Sequence, residues 1–291
     1  MQQLNIFLNS PALFVTLAGV IGLLVGSFLN VVIYRLPLMM QRNWRKECTE
    51  YLQLNLEIFI EPEPFNLVLP LSRCPDCNTP IKPYQNIPLL SYVFLKGRCA
   101  TCDSPISMRY PIVEALAALS SVLVAWHFGY TAQAGFALLL TWSLIALIFI
   151  DIDHQLLPDS ITLPVLWLGL CLSLFNVFID PRASIIGAAA GYIALWLVFH
   201  LFKLVTGKEG MGYGDFKLLA VFGAWIGWQY LPIIILLSSL VGAIVGSAMI
   251  VFVKHDRNIP IPFGPYLAAA GWITLLWGAE LNQLYLTTVG L

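Results

Sequence analysis

Charge is what this chain has least of. Asp, Glu, Lys and Arg together make up 11% of its 291 residues, where about 25% is usual for a soluble domain. So few charges cannot cover a soluble fold of this size, and the same shortage excludes a disordered chain and a charge-laced coiled coil. Neither sign dominates: 15 basic against 16 acidic side chains leave a formal net charge of −1. A basic nucleic-acid-binding domain is thereby excluded as well. Histidine is missing between residues 35 and 110, and there is no low-complexity segment and no obvious internal repeat. No Gly-rich dinucleotide fingerprint occurs either. What remains is apolar: 59% of residues are hydrophobic, with 17 Phe, 11 Tyr and 9 Trp spread among long Leu, Ile, Val and Ala runs. That is the composition of a polytopic membrane protein whose outer surface faces lipid.

Eight apolar stretches approach the roughly 20 residues needed to cross a bilayer. They lie at about 13–34, 111–128, 133–150, 161–179, 184–203, 216–229, 231–253 and 264–286. The sixth, KLLAVFGAWIGW, is short and rich in Gly and Trp. No Lys or Arg precedes the first stretch and Arg35 follows it, so it reads as an uncleaved anchor with its N-terminus outside. Threading onward from there puts 35–110, 151–160, 204–215 and 254–263 on the cytoplasmic side. Those segments and their flanks carry 14 of the 15 basic residues, all but Arg182, in agreement with the positive-inside rule. The expected architecture is all-α. Residues 1–34 form the first transmembrane helix, 35–110 a small cytoplasmic domain inserted before the second, and 111–291 a transmembrane bundle. Pairs of small residues four apart, Gly22/Gly26, Gly187/Gly191 and Gly242/Gly246, mark expected helix contacts.

Residues 35–110 hold two CxxC pairs, Cys74 with Cys77 and Cys99 with Cys102, separated by 21 residues. Each pair can present two thiolates from one tight turn, and together they complete the tetrahedral sulfur shell of a structural Zn²⁺. A cytoplasmic location would keep disulfides reduced, which favours metal. A redox dithiol and plain free thiols are the alternatives. Cys48 and Cys171, without partners at useful spacing, read as packing residues. The acids Glu47, Glu50, Glu57, Glu61 and Glu63 read as a solvated face, with attraction of a basic peptide as the alternative.

Two further stretches carry carboxylates at the mouths of spans. FIDIDHQLLPDSITLP places Asp151 directly after an apolar run, with Asp153, His154 and Asp159 following. GKEGMGYGDFKLL sets Gly210, Gly212 and Gly214 before Asp215. A carboxylate at membrane depth is expensive and by default a functional candidate. Alternating glycines let a backbone take positive φ and approach another group closely. The simpler reading, an N-cap, suits Asp159 best and remains open for Asp215. Asp153 would orient Asp151, and His154 reads as a loop residue. Two carboxylates close enough to share one proton can cleave an amide: one deprotonates a water while the other hydrogen-bonds the scissile carbonyl.

These strings, taken in order, resemble the type IV prepilin peptidases, bacterial membrane aspartic proteases with a GxGD feature. The likeness runs through GSFLNVVIYRLP (Gly26 to Pro37), CPDC and CATC with NIPLLSY between, ISMRYPIVE (Ile106 to Glu114), IDIDHQLLPD and GMGYGDFKL. It implies that Asp151 and Asp215 are the catalytic pair, supported by Asp153, Gly212 and Gly214. It also implies two reactions on prepilins and secretion pseudopilins in the bacterial inner membrane, with the active sites facing the cytoplasm. The basic leader is cut off after a Gly, and the new N-terminal residue is then methylated from S-adenosylmethionine. Members with the four-cysteine domain are the ones associated with methylation. Gly97, Arg98, Arg109 and Glu114 are the candidates for holding the methyl donor, although for Glu114 a contact with the helix N-terminal dipole explains its place equally well. The rivals are a proton- or metal-coupled transporter, which would set its acids nearer mid-span, and a non-catalytic scaffold, which would tolerate Asp→Asn at both positions.

Overall fold

The computed structural model describes residues 10–53, 65–208, 210–252 and 261–289. Glu57, Glu61, Glu63, Lys254 and Arg257 lie outside them. The chain divides into two compact units, Met1–Ala134 and Gly135–Leu291.

In the first unit a long helix, α1 (Pro11–Tyr51), continues through the buried Pro37 well beyond its apolar stretch into the polar segment MMQRNWRKECTEY. A short helix, α2 (Leu90–Phe94), precedes α3 (Arg109–Phe128). The α1–α3 contact is made by glycines. A Cβ on Gly22 would come within 2.6 Å of the Ser121 hydroxyl and 2.7 Å of the Ala117 carbonyl, and one on Gly26 within 2.8 Å of the Glu114 Cα. Asn30 fastens the same seam, its amide donating to the carbonyls of Gly26 and Tyr110. Arg35 is a topological marker in the sequence but a buried staple in the fold. Its guanidinium donates to the carbonyls of Asn66 (2.9 Å) and Pro70 (2.6 Å), tying segment 65–70 to α1.

The second unit holds α4 (Ala132–His154, which begins at the boundary), α5 (Asp159–Ser173), α6 (Pro181–Thr206), α7 (Tyr213–Ile226), α8 (Leu231–Phe252) and α9 (Gly264–Val289). The eight helices of 14 residues or more each overlap one of the eight apolar stretches, with α5 and α7 ending short of theirs, and no strand occurs among the described residues. Five of the described helical stretches are long and apolar enough to cross a membrane: Pro11–Tyr51, Arg109–Phe128, Ala132–His154, Pro181–Thr206 and Trp228–Met249. Local chemistry sets the ends of α6. Asp180 accepts from the N–H groups of Arg182 and Ala183, Pro181 opens the first turn, and Gly207 closes the last in the left-handed region (φ 70°).

The short sixth stretch has its explanation here. α7 is 14 residues long, about 21 Å at 1.5 Å per residue, and is buried on every side from Leu218 to Ile226. It is the central helix of its unit, apolar all round because protein surrounds it. Its small residues admit neighbours. Gly223 meets Gly187 of α6 backbone to backbone, so that a Cβ on either would fall on the other's carbonyl. Ser184 adds a hydrogen bond to the Ala224 carbonyl at 2.7 Å, and the Trp225 indole donates to the Val165 carbonyl of α5. Replacing Gly223 with Leu should therefore force α6 and α7 apart. The expected loss is at least about 1–3 kcal/mol, the usual range for overpacking, read as a lower midpoint in thermal unfolding followed by circular dichroism in detergent. An unchanged midpoint would contradict this packing.

Candidate active site

Asp151 lies in the last turn of α4 and Asp215 in the first turn of α7; both are buried, at 6% and 5% exposure. They are near enough for the charge of Asp151 to act on Asp215. Each is partly held. The Gly212 N–H donates to Asp215 Oδ2 at 3.2 Å, and the Gly264 N–H faces the Asp151 carboxylate. Among the described residues, the buried side-chain nitrogens and oxygens left without any partner are Asp151 Oδ2 and Asp215 Oδ1. Buried polar atoms are nearly always paired, so two bare carboxylate oxygens at neighbouring helix ends call for a functional explanation. Asp215 is not the N-cap of α7: Gly212 is, and Asp215, at the third helical position, accepts its N–H, a contact that accounts for one carboxylate oxygen and leaves the other bare.

The glycines act by close approach rather than by unusual backbone angles. Gly212 has φ −87° and Gly214 lies within α7, so neither uses the positive φ that glycine allows. A Cβ on Gly214 would lie 2.7 Å from the Leu157 Cβ, so its absence lets the loop after α4 settle against α7. Gly210 makes similar room for Phe202, whereas a Cβ on Gly212 would meet nothing closer than 3.9 Å. Asp153 and Gly212 are exposed. Asp159 is no cap: Pro158 occupies that position, and the Asp159 carboxylate accepts both of its bonds from Lys217 at 2.6 and 2.8 Å. At 53% side-chain exposure for Asp159, that pair adds little stability.

Sequence reading missed Gly264, the first residue of α9. A Cβ there would stand 2.5 Å from Asp151 Oδ2 and 3.3 Å from the Leu157 Cδ1. Its one local signal was a Gly set between Phe263 and Pro265 at the mouth of a span. A Gly264→Ala variant should displace the Asp151 carboxylate. Misplacing a reacting group by about 1 Å costs on the order of a hundredfold in rate, which turnover of a substrate by the purified variant would reveal. Activity within twofold of the parent would rule out a wall at this position.

In the first unit, Cys74, Cys77, Cys99 and Cys102 bring their sulfurs within 4.8 Å of one another. The Cys74–Cys102 and Cys77–Cys99 separations are 3.8 and 4.0 Å. Four thiolates at about 2.3 Å from one tetrahedral Zn²⁺ would stand about 3.8 Å apart, so this donor set fits structural zinc. The two knuckles match residue by residue. Arg73-Cys74-Pro-Asp-Cys77-Asn78-Thr79-Pro80 and Arg98-Cys99-Ala-Thr-Cys102-Asp103-Ser104-Pro105 share their backbone bonds: Cys74 N–H to Thr79 O and Cys99 N–H to Ser104 O, then Asn78 N–H to Cys74 O and Asp103 N–H to Cys99 O. Asn78 and Asp103 each take φ 56°, a left-handed turn their side chains tolerate. The sequence thus does contain a short internal repeat, identical or similar at every position but Pro75/Ala100 and Asp76/Thr101. The backbone N–H groups of Cys77 and Asp76 pull the Cys74 thiol down to about 6. The Cys99 thiol moves the other way. The Thr101 and Cys102 N–H groups lower it, but desolvation and the facing sulfurs of Cys102 and Cys74 prevail. A cation at the centre would relieve that conflict. Cys48 and Cys171 are both exposed, not packed.

The four candidates for the methyl donor part company. Glu114 is buried, not at the first turn of α3 but further along it, and accepts the Leu89 N–H at 2.8 Å. Gly97 is buried with φ 69° beside Tyr92, Arg98 is exposed in the second knuckle, and Arg109 opens α3. Of the four, Glu114 alone lines a cleft of about 420 Å³ between the cysteine module and the facing ends of α1 and α3.

Comparison with known proteins adds a consistent result. The Bacterial Peptidase A24 N-terminal domain matches residues 20–128, and the Type IV leader peptidase family matches residues 138–247. The chain is 56% identical to a prepilin leader peptidase/N-methyltransferase of Stutzerimonas stutzeri over 98% of both sequences. It is 56% identical to one of Pseudomonas aeruginosa over 100% of this chain and 99% of the relative. A further such protein, from Aeromonas hydrophila, is 55% identical over 95% of each. No solved structure matches.

Proposed function

Because this chain belongs to the type IV leader peptidase family, we propose that it is a membrane enzyme with two activities on prepilins. It cleaves the leader by means of Asp151 and Asp215, and it then methylates the new N-terminal amine. The observation that carries the peptidase reading is the pair of buried carboxylates whose Oδ2 and Oδ1 atoms have no hydrogen-bond partner. A water held between them would lose a proton to the ionised carboxylate as its oxygen attacks the scissile carbonyl carbon. The protonated carboxyl would hydrogen-bond the carbonyl oxygen and stabilise the developing oxyanion. Collapse of the tetrahedral adduct breaks the C–N bond and delivers a proton to the leaving amine. The pair titrates as a unit, so neither residue is assigned as sole acid or base. Gly212 and Gly264 hold the carboxylates through their N–H groups, and Gly214 lets the two helix ends close up.

The substrate's apolar N-terminal helix lies in the bilayer and its basic leader on the cytoplasmic side of the bacterial inner membrane. The concentration of Lys and Arg in the segments flanking that side supports this orientation. Secretion pseudopilins, which share such a segment, are substrates of the same class. Cleavage falls after a Gly. Zn²⁺ on the four cysteines is structural, since a closed sulfur shell leaves no open coordination position. S-adenosylmethionine, when bound, supplies an electrophilic methyl group on a sulfonium. A prepilin co-expressed with the enzyme should show, by mass spectrometry of its N-terminus, loss of the leader and an added mass of about 14 Da, one CH₂. An intact leader in the presence of the wild-type enzyme would end the peptidase reading. A cleaved but unmethylated N-terminus would end the second half of it.

A further inference from the structure

Resting on the methyltransferase reading, we propose that the cleft between the cysteine module and the ends of α1 and α3 is the binding site for S-adenosylmethionine, with Glu114 as the counter-charge to its sulfonium. The cleft, about 420 Å³, is built entirely by the first unit, and cofactor sites commonly fall between about 300 and 1,000 Å³. One side is α1 with Asn30 and Tyr34; the next is the start of α3 with Tyr110 and Glu114; Tyr92 comes from α2 and Cys74 and Cys99 from the knuckles.

The cleft is lined by charges of both signs, Glu114 against Arg35 and Arg73, which suits a ligand that itself carries both, as the donor does with its sulfonium and its carboxylate. Glu114 is 8% exposed, and its partners are the Leu89 N–H and the Ser27 side chain, neither of which carries charge. A buried carboxylate with no cationic partner is costly, and a ligand that brings a fixed positive charge offsets the cost. The donor's sulfonium is such a charge at every pH. The tyrosines supply aromatic faces of the kind on which a heteroaromatic ring such as adenine stacks. Because Cys74 and Cys99 form part of the wall, an intact metal site is a condition for an intact cleft. This also gives the cysteine module a task in methylation without giving the metal any part in the chemistry.

The test is equilibrium binding to the full-length protein in detergent micelles, by calorimetry, using S-adenosylmethionine and S-adenosylhomocysteine. The second lacks the sulfonium charge and so isolates the contact at issue. Wild-type protein should bind the cationic donor more tightly than the neutral product. Glu114→Gln should weaken donor binding by about tenfold or more, the worth of a charge-assisted contact, and should erase the preference between the two. Val31→Trp, at a half-buried cleft position on α1, should block both by filling the space, which keeps the proposal testable if the first variant folds poorly. Thermal unfolding by circular dichroism monitors the fold of each variant. Tight donor binding by the wild type that neither substitution alters would overturn the cleft assignment alone. A wild type that binds neither compound would overturn the methyltransferase reading along with it.

Discussion

Cleavage of a prepilin should fall by about a thousandfold or more in Asp151→Asn and equally in Asp215→Asn, since positioned acid–base groups contribute 10²–10⁴-fold and a paired centre fails as a unit. Asn keeps the shape of the side chain, so the loss would be chemical rather than steric. The double variant should be no slower than the worse single one, because removing either member already abolishes the shared proton. Stability should move the other way. The bare atoms Asp151 Oδ2 and Asp215 Oδ1 belong to buried carboxylates that repel each other, and a neutral amide removes that repulsion. Unfolding midpoints at or above that of the wild type would accompany the loss of activity, the mark of a site that trades stability for function. Cleavage within tenfold of wild type by either single variant would sink the dyad. It would favour the scaffold reading, in which these acids are dispensable.

Replacing any one of Cys74, Cys77, Cys99 or Cys102 with Ser should reduce bound zinc from about one ion per chain to near none, since a closed tetrahedral site needs all four thiolates. The consequence for the fold should be local and severe. Between Arg73 and Pro105 the module has no sheet, only two isolated bridges, Arg73 with Pro80 and Arg98 with Pro105, and Cys74 alone of the four is buried. Such a module draws its stability from the ion, for which apparent binding energies of about 10–16 kcal/mol are typical. Metal analysis together with limited proteolysis of the purified variants would check both claims: zinc lost, and new cuts between residues 72 and 108. Methylation should fail in the same variants, because two of these cysteines line the cleft next to Glu114. A wild-type protein free of metal would refute the zinc assignment outright, and a variant that keeps its protease resistance would refute the structural role.

Helix positions were legible from hydropathy because each span is a local run. The cysteine and aspartate candidates were legible because their chemistry depends on spacing of a few residues. Three features were not. The central position of α7 could not be read, since a helix apolar on every side looks the same whether lipid or protein surrounds it. Arg35 was counted for its charge, yet its guanidinium is spent on the Asn66 and Pro70 carbonyls. Gly264 lies far along the chain from Asp151, and no local pattern announces that one will stop the other from carrying a side chain. Asp159 shows the opposite error. A favourable capping sequence was present, but the carboxylate found Lys217 on another helix.

The sequence by itself determined that this chain has the composition of a membrane protein, where its apolar helices lie, which four cysteines pair as a candidate metal site and which two carboxylates stand at helix mouths. Those properties follow from composition and from neighbours a few residues apart. Tertiary structure decided that the two carboxylates meet with one oxygen each left bare, that Gly264 walls one of them, and that Glu114 faces a cleft. Those depend on which helix faces which, and packing between distant segments has no period from which it could be read.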